Sequence, residues 1–165
     1  ILKGVVIAVV FLLIGKNVFY LANQFAMIQP IPYIMGQESR DEFLSRTVAS
    51  YPAASFINRT LPEDAIVYIL YLSGRGYYLD REYLHHAWLE TRIVRAIERA
   101  SVDTETLSAF LKSLGGTHML VQEALLLKAI EDNIPQEKIG QVLGTLAKCL
   151  VKLHESNGHA VYEIR

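Results

Sequence analysis

The densest cluster of residues able to do chemistry is Gly74-Arg75-Gly76 with Tyr77, directly after the apolar run AIVYILYL at 65–72. A guanidinium at the tip of a glycine turn can clamp a phosphate or a carboxylate. Loops at the carboxyl ends of strands are also where α/β sheets gather ligands. A phosphate-binding loop, however, requires G-x-x-x-x-G-K-[ST], and a dinucleotide fingerprint requires G-x-G-x-x-G opening a helix. Only the first half of the second pattern is present. Tyr77-Tyr78-Leu79 is extended in character, so no helix N-terminus is expected to aim its amides at an anion. The spacing favours a structural turn, with ligand contact through Arg75 as the alternative.

The other reactive residue types are dispersed. His85 and His86 are adjacent and point in different directions on either a helix or a strand, a poor chelating pair. His118, His154 and His159 have no Cys, Asp or Glu at ligand spacing, which makes all five histidines structural or surface residues. Cys149 is single, forms no internal disulfide, and reads as a small core residue. Neither a G-x-S-x-G elbow nor a cysteine–histidine signature is present. Glu63-Asp64 and Asp80-Arg81-Glu82 fall in loops, where solvated carboxylates lack the desolvation that a general acid needs; they read as surface charge. Gly140 and Gly144, four apart within a helical pattern, suggest close packing against a neighbouring element.

These residues have to be positioned by the surrounding elements. Ser39 with Glu42 three residues on forms a capping box that starts a helix. Phe43, Thr47 and Tyr51 then share one face, Pro52 ends or kinks that helix, and AASFINRT adds another turn or two. The run 65–72 is apolar at every position, as in a strand covered on both faces, and YYLDREYL reads as a second, shorter extended segment. In WLETRIVRAIERA, Leu89, Ile93, Ala96, Ile97 and Ala100 form one stripe and Arg92, Arg95 and Arg99 lie off it. A helix capped by Asp103 or Thr104 places Leu107, Phe110, Leu111 and Leu114 on one face, and Gly115 or Gly116 closes it in the left-handed conformation. THMLVQ is a strand and ALLLKAIEDN a helix. Pro135 opens a long final helix with Ile139, Val142, Leu143, Leu146, Leu150 and Leu153 inward. ESNG turns, and HAVYEIR alternates like a half-exposed strand. The expected fold is a small, Rossmann-like α/β domain whose sheet of three to four strands is mostly parallel and flanked by helices.

Charge divides the chain. Residues 1–36 carry only Lys3 and Lys16, so all 17 acidic residues lie beyond them and leave that part mildly acidic. Such a balance excludes a nucleic-acid partner, which requires surplus Lys and Arg against phosphates. Val5 to Ile14 is wholly apolar, and VFYLA and FAMI resume after Lys16-Asn17. Either a membrane span runs from Gly4 to Ile28 with Lys16 facing other helices, or it begins upstream and Lys16 snorkels to the interface. Tyr20 or Tyr33 would anchor at headgroup level, and Pro30 and Pro32 would end the helix. A buried helix of a soluble protein is the alternative. The transmembrane reading divides the chain into residues 1–35, a last membrane helix with its exit segment, and residues 36–165, an α/β domain.

Several ordered blocks add a resemblance. They are Gly36, Ser39-Arg40-Asp41-Glu42-Phe43-Leu44, Tyr51-Pro52-Ala53, Asn58 through Leu61-Pro62, Gly74-Arg75-Gly76-Tyr77-Tyr78-Leu79, and Leu114-Gly115-Gly116-Thr117-His118-Met119-Leu120-Val121. Together, over residues 30–122, they resemble the region after the last membrane helix in bacterial members of glycosyltransferase family 39, relatives of the dolichyl-phosphate-mannose–protein mannosyltransferases. The chain departs from that pattern at Gly116, where Val is usual, and conservatively at Asp41, Phe43 and Met119. The resemblance implies an upstream bundle of membrane helices in the same polypeptide, with the catalytic carboxylate in an early extracytoplasmic loop. It implies that residues 36–165 lie on the extracytoplasmic, periplasmic side of an inner membrane. It makes Gly74-Arg75-Gly76 a family-typical tight turn, with Arg75 and Tyr77 as candidates to touch the sugar-phosphate donor or the acceptor.

The expected function is therefore a non-catalytic accessory domain of a membrane glycosyltransferase that uses a polyprenyl-phosphate-linked sugar. No catalytic residue, metal or cofactor is expected in this stretch. Its expected partners are the upstream membrane helices and membrane lipid or the lipid-linked sugar. The alternatives are an assembly domain of a non-enzymatic membrane protein and a soluble nucleotide-binding α/β domain.

Overall fold

A computed structural model describes residues 2–72, 76–85, 93–97 and 104–165. The chain divides into two compact units, Ile1–Thr47 and Val48–Arg165.

The first unit is helical: α1 (Leu2–Ile28), α2 (Ile31–Ile34) and α3 (Arg40–Thr47). From Lys3 to Ile28 every residue of α1 except Gln24 is exposed, although the segment is strongly apolar, with a mean hydropathy of 2.3 over its most apolar 18 residues. Its 26 residues suffice, by length and composition, to cross a membrane. At about 1.5 Å per residue they exceed the roughly 30 Å of a bilayer's hydrocarbon core. The helix stops at Gln29, whose φ of 47° is left-handed, and at Pro30. Arg46 then closes its carboxyl end, donating to the carbonyls of Ile28 (2.7 Å) and Gln29 (3.2 Å) while pairing with Glu38 at 2.8 Å. A cation there satisfies orphan carbonyls and opposes the negative pole of the helix. The Arg46 guanidinium also lies over the Phe43 ring, which stacks on Tyr33 with centroids 4.8 Å apart.

The capping box forms as expected. The Ser39 backbone N–H donates to Glu42 at 2.8 Å, and the Glu42 N–H donates back to the Ser39 hydroxyl at 3.2 Å. The expected continuation of this helix to Tyr51 is corrected, because α3 stops at Thr47 and Tyr51 begins α4 (Tyr51–Thr60). Pro52 stands in the first turn of α4, where a missing N–H costs nothing, so it opens a helix rather than breaking one.

The second unit is three-layered. Its sheet comprises β1 (Ile66–Leu70), β2 (Glu82–Leu84), β3 (His118–Gln122), β4 (Leu150–Ser156) and β5 (His159–Ile164), in the order β2-β1-β3-β5-β4. Between them lie α5 (93–97), α6 (Thr104–Ser113), α7 (Glu123–Asn133) and α8 (Gln136–Cys149). The expectation of a mostly parallel sheet of three to four strands is corrected: among the described residues the sheet has five strands and is mixed. β2, β1 and β3 are parallel, whereas β5 runs antiparallel to both β3 and β4.

The added strand comes from residues assigned above to the end of the last helix. α8 ends at Cys149, and Leu150 and Leu153 stand on β4. Asn157 and Gly158, at φ 51° and 72°, make a two-residue turn whose handedness matches strand twist. That turn pairs Ser156 with His159, and a register shift between Lys152 and His154 then brings Lys152 opposite Tyr162. β5 is therefore interior, and His159, Ala160 and Val161 are buried rather than half-exposed.

β1 is covered on both faces, as its unbroken apolar run requires. Val67 and Ile69 pack with Ala53, Ala54 and Ile57 of α4, whose alanines let the helix approach the sheet. Tyr68 and Leu70 face the other layer, with Ile93 and Ile97 of α5, Leu107 and Leu111 of α6, and the inner faces of α7 and α8. Gly115, at φ 84°, ends α6 as anticipated. Leu89, Arg92, Arg99, Ala100 and Asp103 lie outside the described residues.

Candidate functional site

β1 and β3 are parallel neighbours whose chains leave in opposite directions. After Leu70 the chain moves toward β2; after Gln122 it enters α7 and α8 and returns as β4 and β5 on the other side. Divergence of this kind at strand carboxyl ends opens a crevice where ligands bind in α/β sheets. One group of side chains lies at that end of the sheet, and a second lies over β4 and β5.

The first is the loop after β1. Gly74 and Arg75 lie outside the described residues, whereas Gly76 and Tyr77 do not. Tyr71 leaves the strand at φ 58°, a left-handed conformation that is rare for a bulky residue and collects at functional sites. Residues Gly76–Tyr78 form one 3₁₀ turn, and the next element is β2 rather than an α-helix. A Cβ at Gly76 would stand 2.5 Å from the Tyr83 ring and 2.8 Å from Ile69, so packing requires this glycine. Tyr77 projects outward, 84% exposed. Tyr78 packs edge-on against both Tyr77 and Tyr51, each at 5.3 Å.

Two side chains that were not among the expected site residues fix this loop. The Asn58 amide donates to the Tyr78 carbonyl at 2.8 Å and accepts from the Asp80 N–H at 2.9 Å. Arg81, read above as surface charge, is half-buried and donates to the carbonyls of Asn58, Leu61 and Pro62 at 2.9–3.1 Å. It closes the carboxyl end of α4 and ties it to the start of β2. Asn58 and Arg81 are residues of the blocks and loops quoted above; their pairing spans about twenty residues of sequence and gives no local signal.

The second group lies on the opposite layer, where α7 and α8 diverge over β4 and β5. They enclose a pocket of about 310 Å³, floored by Leu126, Ile130, Leu146 and Leu150 and edged by Leu127 and Leu143. One wall is polar. Glu123 opens α7, and Lys152 and Tyr162 are cross-strand partners on β4 and β5. Lys152 Nζ lies 2.7 Å from Glu123 Oε1 and 2.7 Å from Glu155 Oε2, and 5.7 Å above the Tyr162 ring. The Tyr162 hydroxyl donates to Glu123 Oε1.

This wiring moves the proton equilibria. Burial, followed by the neighbouring Glu123, pushes the Tyr162 phenol up to about 12. Burial acts upward on Glu123 too, but hydrogen bonds from Lys152 and Tyr162 outweigh it and hold the carboxyl below its usual range. Glu123 and then Glu155 raise Lys152. The set can orient a polar group at the mouth of an apolar pocket. The sequence reading missed all three residues because their meeting depends on the β4–β5 hairpin.

The remaining candidates take structural places. Cys149 is buried and forms no disulfide, and burial pushes its thiol up. His118 sits on β3 beside Thr117, with burial lowering its pKa against the pull of Glu163. His154 stacks on Phe56 of α4 at 4.4 Å. His86 lies outside the described residues. Among the described residues no group of three or more His, Cys, Asp or Glu side chains could hold a metal. Among the described residues nothing packs against Gly140 or Gly144, so the close packing anticipated there is not made by them. Comparison with family models, curated proteins and solved structures returns no match.

Proposed function

We propose that residues 36–165 are an accessory domain of a membrane glycosyltransferase that draws on a polyprenyl-phosphate-linked sugar. In this reading α1 is the last membrane span and the domain lies on the extracytoplasmic side. Bond-making belongs to upstream helices of the same polypeptide. The observation that carries the reading is α1: a helix apolar enough to cross a bilayer, exposed along nearly its whole length, and followed by the Ser39–Glu42 block. An apolar surface of that extent is stable in water only when covered, and a bilayer covers it without a protein partner. The resemblance in residues 30–122 supplies the enzyme class. Within it, exposed Tyr77 and Arg75, two residues before it in sequence, are the contacts offered to the donor or acceptor; Asn58 holds the chain just after Tyr77, at Tyr78 and Asp80.

Two experiments test this. An alkaline phosphatase fused after Arg165 should be active, as it is only outside the cytoplasm, and a fluorescent protein that matures only in the cytoplasm should stay dark there. The chain in phosphatidylcholine nanodiscs, given polyprenyl-phosphate sugars and acceptor peptides, should transfer nothing, whereas deleting residues 37–165 from the polypeptide that carries the upstream bundle should impair acceptor use. Sugar transfer by the chain alone, or full activity after the deletion, contradicts the reading.

A further inference from the structure

The α7–α8 pocket plays no part in the proposed role, and its chemistry selects a ligand of its own. We infer that it binds one uncharged aliphatic chain ending in a hydroxyl group, with the chain along Leu126, Leu127, Leu143 and Leu146 and the hydroxyl at Glu123 and Lys152. This inference does not rest on the glycosyltransferase reading.

The apolar part follows from the lining. At about 310 Å³ the pocket is at the small end of ligand sites, with room for one chain. Leu127 and Leu143, at its edges, stay 44% and 38% exposed. No aromatic ring stands among the floor residues to favour stacking on a planar ligand; Tyr162 is on the polar wall.

The head group follows from counting donors and acceptors. An ammonium has three N–H donors, and two of those on Lys152 go to Glu123 and Glu155. Glu123 receives Lys152 and Tyr162 on the same oxygen, Oε1, which leaves Oε2 as an acceptor without a partner among the described residues. Tyr162 also takes a hydrogen bond from Lys152, so one acceptor, Glu123 Oε2, remains at the mouth. A hydroxyl supplies the donor that this oxygen lacks while turning its own lone pairs toward the Lys152 ammonium. A carboxylate or phosphate only accepts, and it would face Glu123 and Glu155, whose charges outnumber that of Lys152. An alkylammonium only donates, and it would stand beside the Lys152 ammonium. The wall is complementary to a neutral group of mixed character.

The test is photolabelling of the full chain in phosphatidylcholine nanodiscs, with octan-1-ol carrying an alkyl diazirine as the probe and mass spectrometry to map the adducts. Label on α1 is expected from its apolar surface and serves as the internal control. The inference predicts a second set of adducts on α7 and α8 around Leu127, Leu143 and Leu146. Unlabelled octan-1-ol should displace that set at about tenfold lower concentration than octanoate or octylammonium, the factor given by roughly one good hydrogen bond. Leu143→Trp should fill the pocket and remove the α7–α8 adducts while leaving those on α1. Ala147→Leu, at another exposed lining position, repeats the test should the tryptophan variant fold poorly. Glu123→Gln should improve octanoate relative to the alcohol. Adducts confined to α1, equal displacement by all three amphiphiles, or α7–α8 labelling untouched by either filling variant would each overturn the inference.

Discussion

Gly116 lies against the Cδ2–Cε2 edge of the Tyr68 ring, so that a Cβ at position 116 would overlap those two atoms. Tyr68 is itself held: its ring is buried in the core beneath α6, and its hydroxyl donates to the Leu114 carbonyl at the end of that helix. Under the proposed resemblance Val is usual at this position, where the chain has Gly116. The space that Val would occupy at 116 is filled by an aromatic ring from β1.

Gly116→Val should accordingly destabilise the domain by about 1–3 kcal/mol, the usual cost of overpacking a filled core. Urea unfolding should show a lower midpoint at an unchanged slope. Pairing the substitution with Tyr68→Leu should recover part of the loss. If the double variant is no more stable than Gly116→Val alone, the ring is not the obstacle.

The loop after β1 offers a second test. Asn58→Ala leaves the half-buried Tyr78 carbonyl and Asp80 N–H without their partner, a loss of about 1–3 kcal/mol. Amide hydrogen exchange at Tyr78–Asp80 should accelerate far more than exchange in β3. Uniform acceleration across the sheet would instead mark a global effect and deny Asn58 its local role.

Gly76→Ala should also be unfavourable, since its Cβ would meet the Tyr83 ring. Tyr83 is 42% exposed and can be trimmed. Adding Tyr83→Ala should therefore restore most of the stability lost, as read from thermal melting. No restoration would shift the cause to Ile69 or to the turn itself.

The polar wall of the pocket sets a pH dependence at each end of the scale. Tyr162 loses its proton near 10 in the unfolded chain but only at about 12 when folded. Its contribution is complete below pH 10 and is lost as pH rises toward 12, because there the folded state retains a proton that the unfolded state has released. The raised Lys152 acts in the same direction. Glu123 behaves oppositely: its folded value lies below the ordinary 4.5, so its contribution is present above about 4.5 and disappears as pH falls through the lower, folded value. Tyr162→Phe should flatten the alkaline limb of a stability–pH curve, and Glu123→Gln the acid limb. Unchanged limbs would show that the three side chains do not interact in solution as they do in the structure.

Local signals carried the elements they govern. The Ser39–Glu42 box, the left-handed Gly115 and the unbroken apolar run of β1 each act within a few residues, and each is found where its residue types place it. The boundary of α8 was misplaced because Leu146, Leu150 and Leu153 keep a helical spacing even though the last two stand on a strand. The competing signal was Asn157-Gly158, a hairpin turn that commits the residues on both sides to pairing. Taking the hairpin first would have set Leu153 opposite Tyr162; the register shift between Lys152 and His154 is what brings Lys152 there. Even then, Glu123 reaches them only through the sheet order, which no local pattern specifies. Arg46 and Arg81 were likewise invisible as helix-closing cations, since the carbonyls they bind lie 17–20 residues or more away.

The proposal depends most on α1 being a membrane span that tethers a water-exposed domain. The chain should be expressed in bacterial membranes, washed with alkaline carbonate, and digested with protease on the extracytoplasmic side. The predicted result is that the chain stays in the pellet, that a fragment covering Lys3–Ile28 survives digestion, and that fragments from residues 48–165 are released into solution. Extraction of the intact chain by carbonate, or cleavage of α1 as rapid as that of the rest, would contradict it.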